Sequence, residues 1–104
     1  MIRIDIERKQ KMILRITISG HANADVKGKD LVCAGVSCIA IGALNALSEQ
    51  CPNCDLRMKE GFIVITNNLL SDHDAQVMLE MLRVQLVTMQ ESYKNYIQVT
   101  DQEV

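Results

Sequence analysis

The chain predicts an α+β fold: a small, mostly antiparallel sheet of two hairpins plus a C-terminal strand, packed with one buried helix and one amphipathic helix. Three observations carry that expectation. Apolar and polar residues alternate over residues 2–8 and again over 12–19, the period of a half-buried strand. The run Leu31–Leu47 is almost uninterruptedly apolar, and from Ala75 to Tyr93 apolar residues recur at spacings of three and four. At 104 residues the chain has the size of one domain, and at 48% hydrophobic with 23% charged residues it has the balance of a globular one rather than a disordered one.

Met1–Arg8 puts Ile2, Ile4 and Ile6 on one face with Arg3, Asp5 and Glu7 on the other. Lys9–Lys11 reads as a turn, and the next strand places Met12, Leu14, Ile16 and Ile18 opposite Ile13, Arg15, Thr17 and Ser19. Gly20 ends it. His21–Asp30 carries almost no hydrophobic pattern and reads as a loop of the length that is often functional. Asp30 is placed to cap a helix running to about Gln50. That helix is apolar on nearly every side, so something must cover all of its faces. Its 17-residue apolar run lies at the short limit for a membrane span, and a core helix is the expectation.

Cys51–Cys54 reads as a turn, and Leu56, Met58 and Phe62–Thr66 around Glu60-Gly61 as a second hairpin. Ser71 or Asp72 caps the amphipathic helix, in which Val77, Met81 and Val84 widen the apolar stripe. Ile97–Thr100 is expected as a short last strand, with Asp101–Val104 a frayed tail. Two helices with more apolar surface than a small sheet covers point to a homodimer.

Charge and aromatic content restrict the function. The net charge is −2 and aromatics make up 3% of residues, so neither phosphate attraction nor base stacking is supplied and no nucleic-acid partner is expected. Residues 1–30 hold seven Lys/Arg against four Asp/Glu, the remainder four against nine, a bipolar surface. The N-terminus lacks the pattern of a secretory signal, so a cytoplasmic protein with reduced cysteines is expected, away from membranes.

The residues best suited to chemistry are His21, at a strand end, and Cys33, in the first turn of the apolar helix. A helix N-terminus favours a thiolate, and an imidazole in reach can deprotonate the thiol and later protonate a leaving amine. First-turn amides lack intrahelical partners and are candidate oxyanion donors. Asp30 admits two competing roles, as N-cap or as the group that orients His21. Ser37 stands one turn beyond Cys33. Cys51-x-x-Cys54 is half of a zinc ligand set with no second pair, and it follows a helix where a thioredoxin-like motif opens one. No metal site and no cofactor are expected, and a zinc or redox protein using Cys51 and Cys54 stands as an alternative. A non-catalytic interaction module, which the resemblance described next would associate with the ribosome, is the other.

Gly20-His21-Ala22, Gly28 and Asp30-Leu31-Val32-Cys33-Ala34, followed by Val36-Ser37, resemble the signature of the bacterial ribosomal-processing cysteine proteases, the Prp family. The element order is also similar, over nearly the whole of residues 1–104. The resemblance implies a cytoplasmic, homodimeric endopeptidase. Its substrate would be the N-terminal extension of large-subunit ribosomal protein number twenty-seven, cut after an aromatic residue, a step needed for functional ribosomes. It implies Cys33 as nucleophile and His21 as general base, Asp30 and Ser37 near the active site, and a mobile segment between the catalytic pair. Ala22, Gly28, Val32 and Val36 are the expected border of an apolar substrate groove. Gly35 and Cys38 depart from the Ala and aliphatic residue more usual in that family; Gly35 is expected to leave room at its position. No role in the resemblance falls to Cys51 or Cys54.

Overall fold

A computed structural model describes all of residues 1–104. Its elements are β1 (Ile2–Lys9), β2 (Met12–Gly20), α1 (Leu31–Gln50), β3 (Cys54–Lys59), β4 (Phe62–Asn67), α2 (His73–Ser92) and β5 (Ile97–Glu103). The five strands form one sheet in the order β3-β4-β2-β1-β5. All pairings are antiparallel except β1 with β5.

The connections explain why both helices share one face. From β2 the chain crosses through α1 to β3, which runs in the same direction two places away. From β4 it crosses through α2 to β5, again in the same direction, moving the opposite way across the sheet. Right-handed crossovers on strands that reverse both direction and sense of travel place their helices on the same side. The sheet is therefore buried on one face only. Ile2, Ile4 and Ile6 of β1, Ile16 and Ile18 of β2, and Ile65 of β4 point into the core with Leu79, Leu82 and Leu86 of α2. Each such burial contributes roughly 1.5–3 kcal/mol.

β2 departs from simple alternation. The ladder pairs Glu7 with Arg15 and then Arg8 with Ile13, so Leu14 has no partner and forms a bulge. The extra residue swings Ile13 to the core side, where it is fully buried, and leaves Met12 exposed. The expected division of Met12 and Ile13 between faces is thereby reversed.

The last strand is longer than expected, and Asp101–Glu103 belong to it. The half-buried Arg8 guanidinium holds Asp101 at 2.7 Å and Glu80 of α2 at 2.9 Å. The Lys11 amide donates to Glu103, and the Val104 amide to the Arg8 carbonyl. The hydrogen bond to Asp101, together with Glu80, holds the Arg8 pKa above its ordinary value against the desolvation that would lower it. A segment of low hydrophobicity is thus fixed by ion pairs and ladder bonds rather than by burial.

α1 spans the predicted range, capped by Asp30. It buries Val32, Val36, Ala40, Leu44 and Leu47 against the sheet and α2, while Leu31, Cys38 and Ile41 stay exposed on its outer side. By length and composition it also passes as a membrane span. Gly35 does not leave room: a Cβ there would lie 2.7 Å from the Met89 terminal methyl, so the α2 methionine already fills the space.

Candidate active site

The site forms where β2 ends, α1 begins and the β3–β4 turn comes alongside. Gly20 closes β2 with a φ of +89°, and a Cβ there would lie 2.4 Å from the Met1 carbonyl oxygen, so only glycine fits. Its amide donates to the Gly61 carbonyl at 3.0 Å, which ties the strand end to the β3–β4 turn. His21 follows immediately, exposed, with its own carbonyl accepting from the Met1 amino group at 2.6 Å. The chain then turns inward. Ala22 is buried, and its amide donates to the Cys33 sulfur at 3.3 Å.

Asp30 fixes the other side. One carboxylate oxygen accepts from the amides of Val32 and Cys33, each at 3.0 Å, and the other accepts from the Ala24 amide at 2.9 Å. The Cys33 amide foremost, helped by the Ala24 amide, holds the carboxyl below the usual aspartate range. Asp30 thus caps the helix and staples the loop onto it. It makes no hydrogen bond to His21.

Most of the expected oxyanion donors are occupied. The amides of Val32 and Cys33 are taken by the Asp30 side chain, and that of Ala34 by the Asp30 carbonyl at 3.0 Å. The amide that faces the sulfur is instead that of Ala22. It sits on the loop, where a search confined to helix termini does not look.

Two cavities meet at Cys33. An apolar one of about 370 Å³ lies between α1 and the second hairpin, walled by Ile18, Val36, Ala40, Ile41, Met58 and Ile63. A polar one of about 490 Å³ lies under the loop, walled by Asn23, Asp25, Lys27, Gly28 and Asp30. His21, Cys33, Ser37 and Glu60 line both. Lys27 reaches Glu60 at 3.2 Å, so an exposed ion pair bridges from the loop to the second hairpin.

Of the residues expected at the groove, Val36 borders the apolar cavity and Gly28 the polar one. Val32 does not, because its side chain is turned into the core. Ala22 contributes its amide rather than its side chain. Ile41, Met58 and Ile63 take the place that Val32 was expected to hold. His21 and Cys33 share both cavities, and the structure contains no hydrogen bond between imidazole and sulfur. Ser37, one turn on, is exposed beside them.

Cys51 and Cys54 lie at the far end of α1. Burial pushes the Cys51 thiol up, with Asp72 and Asp74 adding to the effect, and burial drives Cys54 up to about 11. The Cys51 sulfur contacts the Met78 sulfur at 3.6 Å, and Cys54 lies 4.0 Å from the Asn67 side-chain oxygen. No group of three His, Cys, Asp or Glu residues is placed to hold a metal ion.

Comparison with known proteins identifies the family. The sequence profile of the family described as cysteine protease Prp matches residues 1–98. The chain belongs to the Prp cysteine protease family. The ribosomal processing cysteine protease Prp of Bacillus subtilis is 35% identical, over 96% of both chains. That of Staphylococcus aureus is 29% identical, over 95% of this chain and 97% of its own. A crystal structure of the Staphylococcus aureus Prp with a covalently linked product peptide superposes with a TM-score of 0.91 and 27% identity, over 98% of this chain and all of that one. A second, described as in complex with a substrate peptide, gives 0.86 at 26% identity and the same coverage. A Streptococcus mutans protein at 23% identity shares the fold, with a TM-score of 0.86 over the whole of this chain and 96% of its own. This Prp family member is a cysteine protease.

Proposed function

We propose that this protease uses Cys33 as nucleophile and His21 as general base to cut the N-terminal extension from large-subunit ribosomal protein number twenty-seven after an aromatic residue, in the cytoplasm. The observation that carries the reading is the convergence of His21 and Cys33 on the junction of the two cavities. The bound peptides described for the Staphylococcus aureus protein support a peptide substrate here.

The imidazole takes the Cys33 thiol proton and the sulfur attacks the carbonyl carbon before the cut, forming a C–S bond. The carbonyl oxygen gains negative charge close to the sulfur, within reach of the Ala22 amide, which already aims its hydrogen there. As the C–N bond breaks, the imidazolium returns the proton to the leaving amine. Water, deprotonated by the same imidazole, then releases the acyl group and restores the thiol. Side chains flanking the cut on the apolar side, an aromatic one included, fit the cavity walled by Ile41, Met58 and Ile63.

Two copies pair through the outer helix faces in this reading. Cys38, Met81 and Gln85 border an apolar groove of about 390 Å³ between α1 and α2, and Val77 and Val84 stand exposed beside it. Sedimentation equilibrium reads the assembly directly; a monomer at micromolar concentration would overturn that part.

The test is incubation with the ribosomal protein carrying its extension. Wild type is expected to cleave it, Cys33→Ala to show none, and His21→Ala to be slower by about 10²–10⁴-fold. Equal cutting by Cys33→Ala would remove the mechanism.

A further inference from the structure

The β3–β4 turn touches the site without carrying any reacting group. Gly61 adopts a φ of +69°, and its carbonyl is tied to the Gly20 amide beside His21. A Cβ built on Gly61 would lie 2.9 Å from His21 Nε2 and 3.3 Å from Cε1. The imidazole therefore rests directly on the bare Cα of the turn. Gly28, which also has a positive φ, has nothing within 4 Å of the same position, so the contact is particular to Gly61. The His21 ring is exposed and without a hydrogen-bond partner. On this side the turn limits where it stands.

We propose that Gly61 is a positioning residue for catalysis, a flat seat that sets the place of the His21 imidazole relative to Cys33. The inference rests on the reading of His21 as general base. Any side chain at Gly61 must displace the ring by about half an ångström to reach ordinary contact. Because the ring is exposed it can move aside, so that contact costs the fold little. Proton transfer is less forgiving, since productive geometry is held within about 0.5 Å and a 1 Å error can cost about 10²-fold.

A double-mutant cycle with His21→Ala tests this, reading the rate of Cys33 alkylation by iodoacetamide, a reagent too small to depend on the substrate cavity. Melting temperatures verify that each variant is folded. Gly61→Ala is expected to slow alkylation about tenfold and to lower kcat more than KM is raised. In the His21→Ala background the same change should have no further effect, because the group it positions is gone. Gly61→Asn keeps the contact and tolerates a positive φ better, so it should behave alike even where Gly61→Ala folds poorly. Equal slowing in both backgrounds, or no slowing in a folded Gly61 variant, would overturn the proposal. An unchanged rate in His21→Ala alone would instead overturn the dyad reading beneath it.

Discussion

The two ends of α1 each carry a cysteine, and the contrast between them sets the thiol proposed as nucleophile against one placed to be inert. Cys33 stands in the first turn, half-buried, with the Ala22 amide aimed at its sulfur and two cavities opening beside it. Cys51 caps the last turn, buried against Met78, with Asp72 and Asp74 raising its pKa further. The helix supplies positive potential to the first and negative potential to the second. Desolvation without a donor then completes the difference. Position along one helix, rather than cysteine content, decides which sulfur can be a nucleophile.

Alkylation gives the largest effect. At neutral pH a thiol with a pKa of about 11 is ionised in about one molecule in ten thousand, so Cys54 should react very slowly, and the deeper Cys51 slower still. Cys33 is expected to react first and exposed Cys38 next, with the other two at least about 10²-fold behind. Peptide mapping after timed iodoacetamide treatment measures the order. Cys38 reacting as fast as Cys33 would mean that exposure alone sets the rate.

A smaller effect sharpens the other half of the contrast. Cys51→Ala should leave cleavage unchanged and lower stability by about 1 kcal/mol, because it removes one buried sulfur from the core. Urea unfolding and the cleavage assay read the two quantities separately. Loss of activity at full stability would return Cys51 to the functional residues and weaken the contrast.

Much of this arrangement was legible in the chain. The isoleucine alternation of β1, the Asp30 cap and the apolar span of α1 follow from local periodicity and capping chemistry, and the structure shows each of them. What escaped depends on partners distant in sequence. The Leu14 bulge is set by its register with β1, which no property of Leu14 announces. The strand at Asp101–Glu103 exists because Arg8 and Lys11 are there to receive it. The space expected at Gly35 is filled by Met89, 54 residues along the chain. At the site, the glycine of the Glu60-Gly61 turn was readable as a hairpin device, but its contact with His21 appears only once β4 pairs with β2.

The smallest expected effect concerns the charge that shares the positive end of α1 with Cys33. The folded-state pKa of Asp30 is lowered, first by the Cys33 amide, so its ionised form contributes stability at pH values above the ordinary aspartate range. That contribution is lost as the pH falls through the lowered folded value, where the carboxyl takes up a proton and accepts the three amides less well. Asp30→Asn retains an N-cap oxygen but not the charge. Its melting temperature should lie slightly below that of wild type at neutral pH, and the gap should close in acid, below the usual aspartate range. Added salt should narrow the gap at neutral pH, because the carboxylate is close to solvent. A gap of constant size across that range would show that the carboxylate acts at the helix start through shape alone.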